Sequence, residues 1–502
     1  MTGSQGRREV YARRAAAFVA GGLPLLAFPR PGLGWLAWAL LVPGLLVLRA
    51  AGGGREAAVR GWWFGAGYLI AALYWTVPNI GPGLLLVAVV FGIPWALWGW
   101  AAHALLPARP VAALLVLPSI WVLIEYARSW HMLGGPWGLL GASQWRHPVM
   151  LSLAAVGGVW LVGFAIVAVN TALAIALTAG NLRWRALAAA GAILLAGPVA
   201  YAVLDRPRTE RILVVALVQP GVVHDPVTRF AAGERITAGL PRADLVVWGE
   251  SSVGFDLARR PDLMRRLTAL ADGRELMVNE DARDARGRIS KSTILLGPDG
   301  RRGRYVKTRL VPFGEYIPFR PALGWLAGVS EAAAEDRVPG TGAGTLAGGG
   351  AMLGPMVCFE SAFPDLGRAL AREGAQALVL QSSTSTFQES WAPPQHASLA
   401  AVRAAETGRP VVQAALTGVS AAFDARGRRI AWLDTDRRGA VTVALRLPPA
   451  TARTPFTRYG DYVIFIAFAV TAGHLAGAAV RGRRSARPGR DSRPLTTGTP
   501  AA

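Results

Sequence analysis

Three residues that can do chemistry stand at or just after the ends of short apolar runs in the second half of the chain: Glu250, Lys307 and Cys358. Cys358 is the only cysteine among 502 residues, and a helix-like segment opens at Ser361. A strand that ends at a thiol and turns into a helix exposes the thiol near the helix N-terminus, which favours the thiolate. A lone cysteine is otherwise most often a small buried hydrophobe. Cys358 therefore needs support from other residues before it is assigned a reaction.

A carboxylate and an ammonium group supply that support. A thiol, a carboxylate that takes its proton and an ammonium that stabilises an oxyanion form a complete set for acyl transfer. The chain has 53 basic residues, and only Lys291 and Lys307 among them are lysines. In so arginine-rich a chain, a lysine can mark a site that needs a compact ammonium, although chance retention explains it equally well. Sequence spacing alone does not show that Glu250, Lys307 and Cys358 meet.

The elements that must position these residues belong to a predicted α/β domain over 211–447. Short apolar strands alternate there with helices, which is typical of a sheet with helices on its faces. Ends of neighbouring strands at one sheet edge are where such folds place ligands. The predicted strands are 212–219, 244–250, 275–279, 292–300, 352–358, 375–381, 410–415 and 439–447, the predicted helices 261–273, 363–374 and 395–407, and 423–428 is a predicted hairpin turn.

The rest of the chain is too apolar for a soluble protein. Hydrophobic residues make up 52% of the chain and charged residues 17%, and the apolar residues come in blocks of helix-spanning length. We expect a membrane domain with seven spans over 15–204, and an eighth span at 461–480. The apolar blocks lie at 15–28, 33–49, 61–79, 83–107, 110–127, 150–177, 186–204 and 461–480.

The net charge of +22 indicates orientation rather than nucleic-acid binding. Much of the excess lies in the basic N-terminus 1–14, in alternate loops and in the basic tail 481–502. Basic residues that flank spans mark the cytoplasmic side and contact anionic lipid headgroups. We therefore expect both termini to be cytoplasmic, the tail to be disordered and the α/β domain to be extracytoplasmic. One cysteine permits no internal disulfide, so cysteine content does not indicate the compartment.

Three segments resemble the signature segments of the nitrilase superfamily, which uses Glu–Lys–Cys catalysis on an αββα sandwich. They are 248–251 (WGES), 305–318 (YVKTRLVPFGEYIP) and 357–360 (VCFE). The second is similar to the version found in the apolipoprotein N-acyltransferases, which also have seven spans before the domain and one after it. Segments 395–396 (QH) and 403–410 (RAAETGRP) match a later part of that family. The resemblance covers nearly the whole chain.

The resemblance implies a role for each matching residue. Glu250 is expected to be the general base, Cys358 the nucleophile, and Lys307 the group that stabilises the oxyanion. Glu315 corresponds to an additional glutamate that supports the lysine or assists proton transfer. Phe359 and Glu360 follow the nucleophile as in the family, although Phe359 can also be a core residue and Glu360 a helix cap. Lys291 matches no family role and is predicted to lie on the surface.

The function implied by the resemblance is acyl transfer from a phospholipid, through a cysteine thioester, to the N-terminal amine of a diacylglyceryl-modified apolipoprotein. The protein is expected to be a monomer in a bacterial cell membrane and to need no cofactor or metal. At 382–387 the chain has SSTSTF, where the family usually has Ser-Asn-Asp-Ala-Trp-Phe. Two alternatives stay open: a membrane-tethered amidase of the nitrilase type, and a non-catalytic relative that scaffolds an envelope glycosyltransferase.

Overall fold

The computed structural model describes residues 2–133, 135–204, 208–324 and 336–485. Its first part is helical, with short 3-10 turns between α1 and α2 at Leu23–Ala27 and Gly34–Trp38. The helices are α1 Thr2–Gly22, α2 Val42–Arg49, α3 Gly54–Leu73, α4 Val77–Ile80, α5 Gly83–Gly92, α6 Pro94–Ala108, α7 Pro110–Arg128, α8 Pro148–Leu151, α9 Leu153–Thr178 and α10 Arg183–Val203.

Several of these helices are compatible with a membrane domain. Within the described residues, α7, α9 and the segment 180–203 are each long and apolar enough to cross a bilayer. A fourth span results if α5 and α6, which meet at a bend of 43°, are counted as one. Each predicted apolar block coincides with helical structure in this part of the chain. The prediction of seven spans before the α/β domain stays a prediction.

Small residues let the helices of this bundle approach closely. A Cβ on Gly61 of α3 would lie 2.3 Å from the carbonyl oxygen of Trp95 in α6. A Cβ on Gly67 of α3 would lie 2.0 Å from the carbonyl oxygen of Phe18 in α1. Close backbone contact at glycines is the usual way in which helices associate where no hydrophobic effect drives them together.

The second part of the chain forms two six-stranded sheets. One has the order β12-β1-β2-β3-β4-β5 and the other the order β11-β10-β9-β8-β7-β6. The strands are β1 Arg211–Gln219, β2 Leu245–Trp248, β3 Glu275–Arg283, β4 Ile289–Gly297, β5 Gly300–Val306, β6 Leu346–Gly348, β7 Ala351–Val357, β8 Ala377–Ser382, β9 Val411–Ala415, β10 Ser420–Phe423, β11 Arg429–Leu433 and β12 Gly439–Leu447.

The two sheets pack face to face and carry helices on their outer faces, so the predicted αββα sandwich is confirmed. The layer between the sheets is apolar, with Leu217, Val247, Val357 and Val379 fully buried in it. The helices of this part are α11 Pro226–Ala238, α12 Pro261–Leu270, α13 Arg320–Leu323, α14 Pro364–Arg372, α15 Ala392–Thr407, α16 Pro455–Tyr459 and α17 Tyr462–Ser485.

One outer face of the sandwich is also the face that meets the helical bundle. Every residue of α15 is buried, and its apolar side chains belong to the same core as those of α3, α6, α7 and α9. α9 kinks at Gly157 and Gly158, which frees the backbone N–H of Val159. That N–H donates to Glu406 of α15 over 2.8 Å. Because a buried amide without a partner is costly, this contact fixes the sandwich on the bundle.

Some observed elements were not predicted from the sequence, and the bounds of others differ from the prediction. The strands β5, β6, β10 and β11 and the helix α11 were not predicted as such, although the turn at 423–428 does join β10 and β11. The helix α17 continues to Ser485, so disorder was a wrong prediction for 481–485. The remainder of the predicted disordered tail, 486–502, lies outside the described residues.

Candidate active site

Glu250, Lys307 and Cys358 each follow a strand. Lys307 and Cys358 come directly after β5 and β7, and Glu250 comes two residues after β2. β2 and β5 belong to one sheet and β7 to the other, so the site lies where the strand ends of both sheets meet. The backbone N–H of Glu250 donates to the carbonyl of Ser382 at the end of β8, over 3.2 Å. This bond ties the two sheets together beside the site.

The side chains of these three residues are brought together. The ammonium of Lys307 lies 3.2 Å from Glu250 Oε1, and the Cys358 thiol lies close enough to the Glu250 carboxylate that each group shifts the pKa of the other. Lys307 is fully buried, Glu250 is 4% exposed and Cys358 is half-buried. The backbone of Cys358 has φ +52°, a left-handed conformation that costs about 1–3 kcal/mol for a residue with a side chain. The strained turn directs the thiol towards the carboxylate.

Lys291 also reaches the site, and its predicted place on the surface was wrong. Its ammonium lies 3.5 Å from Glu250 Oε1 and 3.3 Å from Asp281, and it donates to the hydroxyl of Ser251. Only 8% of the residue is exposed. β4 pairs with β3 so that Lys291 stands opposite Asp281, and this register turns Lys291 towards the end of β2. No local pattern in the sequence indicates that register.

Burial and the neighbouring charges act in opposite directions on the pKa of Glu250. Burial raises the pKa of Glu250, but the ammonium groups of Lys291 and Lys307 outweigh it and hold the pKa at about 2. Burial, and then the charge of Glu250, raise the pKa of the Cys358 thiol to about 12, against a smaller lowering by Lys307. The expectation of a resting thiolate was therefore wrong, because the turn after Cys358 is buried beside a carboxylate. The resting site holds a thiol beside an ionised carboxylate.

Glu315 lies on the other side of Lys307 from Glu250, and its role as a supporting residue stays a prediction. Its Oε1 accepts from the Lys307 ammonium over 2.9 Å and from Arg337 over 3.0 Å. Its Oε2 accepts from the backbone N–H of Val311 over 2.9 Å. Lys307 is thus held between two carboxylates, and the two together outweigh burial in raising the pKa of its ammonium.

Glu360 is fully buried and does more than cap a helix. Its Oε2 accepts from the N–H of Val357, and its Oε1 accepts from the hydroxyl of Tyr305 and from Thr308 and Arg309, all within 3.1 Å. These bonds join the loop after Lys307 to the turn that carries Cys358. Because one buried carboxyl group accepts bonds from both elements, it fixes the distance between them.

Phe359 and His396 lie beside Cys358 on the side of the helical bundle. Phe359 is buried and packs edge-to-face on Phe363, with ring centroids 5.1 Å apart. His396 of α15 lies with Nε2 3.0 Å from the carbonyl of Cys358, and its ring stacks on Trp137. The sequence signalled His396 only through the matching pair 395–396 and assigned it no role.

The altered segment 382–387 lies against the site. The carbonyl of Ser383 is 3.8 Å from the Cys358 sulfur. Phe387 packs edge-to-face on Trp75, between α3 and α4, with ring centroids 4.8 Å apart. Within the described residues, no group of three or more His, Cys, Asp or Glu side chains is arranged to hold a metal ion.

Known families match both parts of the chain. The profile of the apolipoprotein N-acyltransferase N-terminal domain matches residues 20–172, and that of carbon-nitrogen hydrolases matches 231–453. Solved structures similar to the sandwich include a mutant of the Nesterenkonia AN1 amidase from the nitrilase superfamily (17% identity, TM-score 0.35, 52% of this chain and 95% of that one). The carbon-nitrogen hydrolase from Helicobacter pylori G27 is also similar (18% identity, TM-score 0.37, 47% and 89%).

Two domains of this kind in one chain define an acyltransferase of the nitrilase superfamily, a class whose members use a catalytic cysteine. Relatives that match over most of the chain show which family of acyltransferases it is. Apolipoprotein N-acyltransferase of Geobacter metallireducens is 31% identical over 93% of this chain and 95% of its own length. That of Pseudomonas aeruginosa PAO1 is 29% identical over 88% and 91%. The chain belongs to the apolipoprotein N-acyltransferase family, nitrilase-like enzymes that N-acylate lipoproteins in bacterial membranes.

Proposed function

We propose that the protein transfers an acyl chain from a phospholipid to the N-terminal amine of a diacylglyceryl-modified apolipoprotein, with Cys358, Glu250 and Lys307 as its catalytic residues. One observation carries this proposal: a single buried carboxylate pairs with a buried ammonium and lies beside the only thiol of the chain, close enough to raise the pKa of that thiol. A base, a nucleophile and an oxyanion partner within contact distance are what acyl transfer through a cysteine requires.

In the first step the Cys358 sulfur attacks the ester carbonyl of the phospholipid while its proton moves to Glu250. The pKa of Glu250 is about 2 and that of the thiol about 12, so a free thiolate is unfavourable in the resting site. Proton transfer must accompany formation of the C–S bond. Lys307, with the backbone N–H of Phe359, stabilises the oxyanion. The tetrahedral intermediate then expels the lysophospholipid alkoxide, which takes the proton from Glu250 and leaves a thioester on Cys358.

In the second step the neutral α-amine of the apolipoprotein attacks the thioester carbonyl. Glu250 accepts the proton of the amine, Lys307 again stabilises the oxyanion, and the Cys358 thiolate leaves. Glu250 returns the proton to the sulfur, which restores the resting site. An amine attacks a thioester more readily than an oxygen ester, so the covalent intermediate divides one difficult transfer into two easier ones.

A cavity between the bundle and the sandwich offers a path for lipid. It measures about 310 Å³ and is lined by aromatic side chains of the bundle, Tyr126, Trp130 and Trp160, and by Arg309 and Phe363 of the sandwich. Phe363 packs on Phe359, the residue after the nucleophile. This arrangement supports lateral entry of an acyl chain from the bilayer. We place the sandwich on the extracytoplasmic side, with both termini in the cytoplasm.

The test is intact-mass detection of an acyl adduct on the purified full chain after incubation with phospholipid micelles. We expect an adduct that persists without acceptor and is discharged by a diacylglyceryl-cysteine peptide. The variants Cys358→Ala and Glu250→Gln should give no adduct and no acylated peptide. Release of ammonia from a small amide without any adduct from phospholipid would favour the amidase alternative. Full lipoprotein acylation by Cys358→Ala in a deletion strain would refute the enzymatic proposal.

A further inference from the structure

The chain contains two lysines among 53 basic residues, and both contact the same oxygen atom. Lys307 lies 3.2 Å and Lys291 3.5 Å from Glu250 Oε1. Lys307 arrives from the end of β5 and Lys291 from within β4, so the carboxylate has two ammonium partners supplied by two neighbouring strands. Everywhere else in the sequence a basic residue is an arginine.

Lys291 is held in place independently of Lys307. Asp281, its partner across the β3–β4 pair, lies 3.3 Å from the ammonium, and Ser251 accepts a hydrogen bond from it. Ser251 in turn donates to Asp281 over 3.2 Å. A compact ammonium fits between these groups, whereas a guanidinium is larger and planar. Asp281 and Ser251 therefore hold the Lys291 ammonium in place without any contribution from Lys307.

Building on the proposed role of Glu250 as the base, we propose that Lys291 is a positioning residue that keeps the Glu250 carboxylate oriented and ionised while Lys307 stabilises the oxyanion. The reaction gives Lys307 two tasks, because its ammonium contacts the base in the resting site and must meet the new negative charge on the substrate. When Lys307 turns to the oxyanion, Lys291 still contacts Glu250 Oε1. Lys291 thus stabilises the Glu250 carboxylate while Lys307 stabilises the oxyanion of the substrate.

The proposal predicts a change in pH dependence. Loss of the Lys291 charge raises the pKa of Glu250, so the ionised base is lost at a higher pH and the acidic limb of the rate moves upward. In Lys291→Met the other charges that face Glu250 stay in place, and the paired variant removes only the charge of Asp281 in addition. The groups that face Glu250 are Lys307 from β5, Cys358 from β7, Glu315 and Arg337 from the adjoining loops, Asp281 from β3 and His396 from α15.

The experiment measures the rate of acyl-adduct formation on the full chain against pH, in phospholipid micelles, for Lys291→Met and for the charge-neutral pair Lys291→Met/Asp281→Asn. The paired variant avoids leaving Asp281 without its ammonium partner and so protects the fold. Arg301→Met, at an exposed position of β5, is the control with the same change in charge. Infrared difference spectra titrate the protonated carboxyl band of Glu250 directly, with Glu250→Gln to identify the band.

We expect the acidic limb to move up by about one pH unit or more in Lys291→Met, and not in Arg301→Met. The paired variant should move it in the same direction by less, because it also removes the negative charge of Asp281. The proposal would be overturned if the acidic limb of Lys291→Met coincides with that of the unmodified chain, whether or not the rate falls uniformly at every pH. If a variant forms no adduct, the infrared titration decides: a raised pKa of Glu250 supports the role, and an unchanged one refutes it. Failure of the proposed function is distinguished by an adduct that persists in Cys358→Ala.

Discussion

Glu360 and Thr308 are joined by a hydrogen bond of 2.6 Å from the Thr308 N–H to Glu360 Oε1, although 52 residues separate them. Thr308 follows Lys307, and Glu360 stands two residues after Cys358. The bond therefore sets the distance between the ammonium and the sulfur through one buried carboxylate. Glu360 takes part in no proposed chemical step, yet the geometry of the proposed steps depends on it.

Glu360→Gln should slow acyl-adduct formation about a hundredfold, because a displacement of about 1 Å in the reacting groups has an effect of that size. An amide offers one acceptor oxygen where the carboxylate has two, and its NH₂ faces backbone donors. We also expect a loss of stability of about 1–3 kcal/mol from the donors left unpaired. Adduct kinetics and thermal unfolding in detergent measure the two effects. Glu373→Gln, at an exposed position after α14, should change neither; equal behaviour of the two variants would contradict this role.

Glu315→Gln should reduce the rate of adduct formation about tenfold with little change in the apparent affinity for phospholipid. Lys307 would keep Glu250 as its single carboxylate partner, and its ammonium would lie closer to Glu250 and farther from the oxyanion of the proposed reaction. Initial rates over a range of lipid concentrations separate the two parameters. Arg337→Met removes the outer partner of Glu315 and a more distant charge near Glu250, and should cost less than threefold. A larger effect from Arg337→Met would reverse the assignment.

Gly249→Ala should prevent stable folding. A Cβ at this position would lie 2.0 Å from the backbone nitrogen of Leu416, so the two sheets would have to separate just before Glu250. We expect a loss of more than about 3 kcal/mol, the upper range for overpacking. Size-exclusion profiles and thermal unfolding provide the measurement. Gly239→Ala, whose added Cβ would meet only ordinary contacts at 3.7 Å, is the control; normal folding of Gly249→Ala would show that the sheets adapt.

Glu406 should make stability depend on pH. Burial raises the pKa of this carboxyl from 4.5 to about 7, against a smaller lowering by Arg403. The folded protein therefore holds the proton more tightly than the unfolded chain, and the stability gained below pH 4.5 is lost as the pH rises through about 7. Thermal unfolding in detergent at pH 4.5, 6 and 8 should show this decline.

Glu406→Gln should give a flatter profile over the same range, since an amide has no proton to lose. Its carbonyl oxygen still accepts from the Val159 N–H, so the contact between α15 and α9 is kept. Glu389→Gln, at an exposed position, should leave the decline unchanged. An identical slope in Glu406→Gln and the unmodified chain would assign the pH dependence to other groups.

The sequence determined much of the fold through local pattern. Each of the eight predicted strands has an observed counterpart, because buried strands are continuous apolar runs bounded by turn residues. Strand β5 was missed since three of its seven residues are arginine, and β6 has only three residues. The helical blocks were recognisable by length and composition, whereas the number of spans is not decided by composition alone.

The sequence by itself determined which residue types stand at the strand ends, since Glu250, Lys307 and Cys358 were all named from it. Only the tertiary structure decided that Lys291 joins them, that Glu360 links two segments of the site, and that α15 is buried against the bundle. These facts depend on strand register and on the contact between two sheets and a helical domain. Such contacts join residues far apart in the chain, and no local period or composition encodes them. The protonation state of Cys358 could not be predicted from sequence for the same reason. Burial raises the pKa of its thiol, and burial is a property of the assembled site.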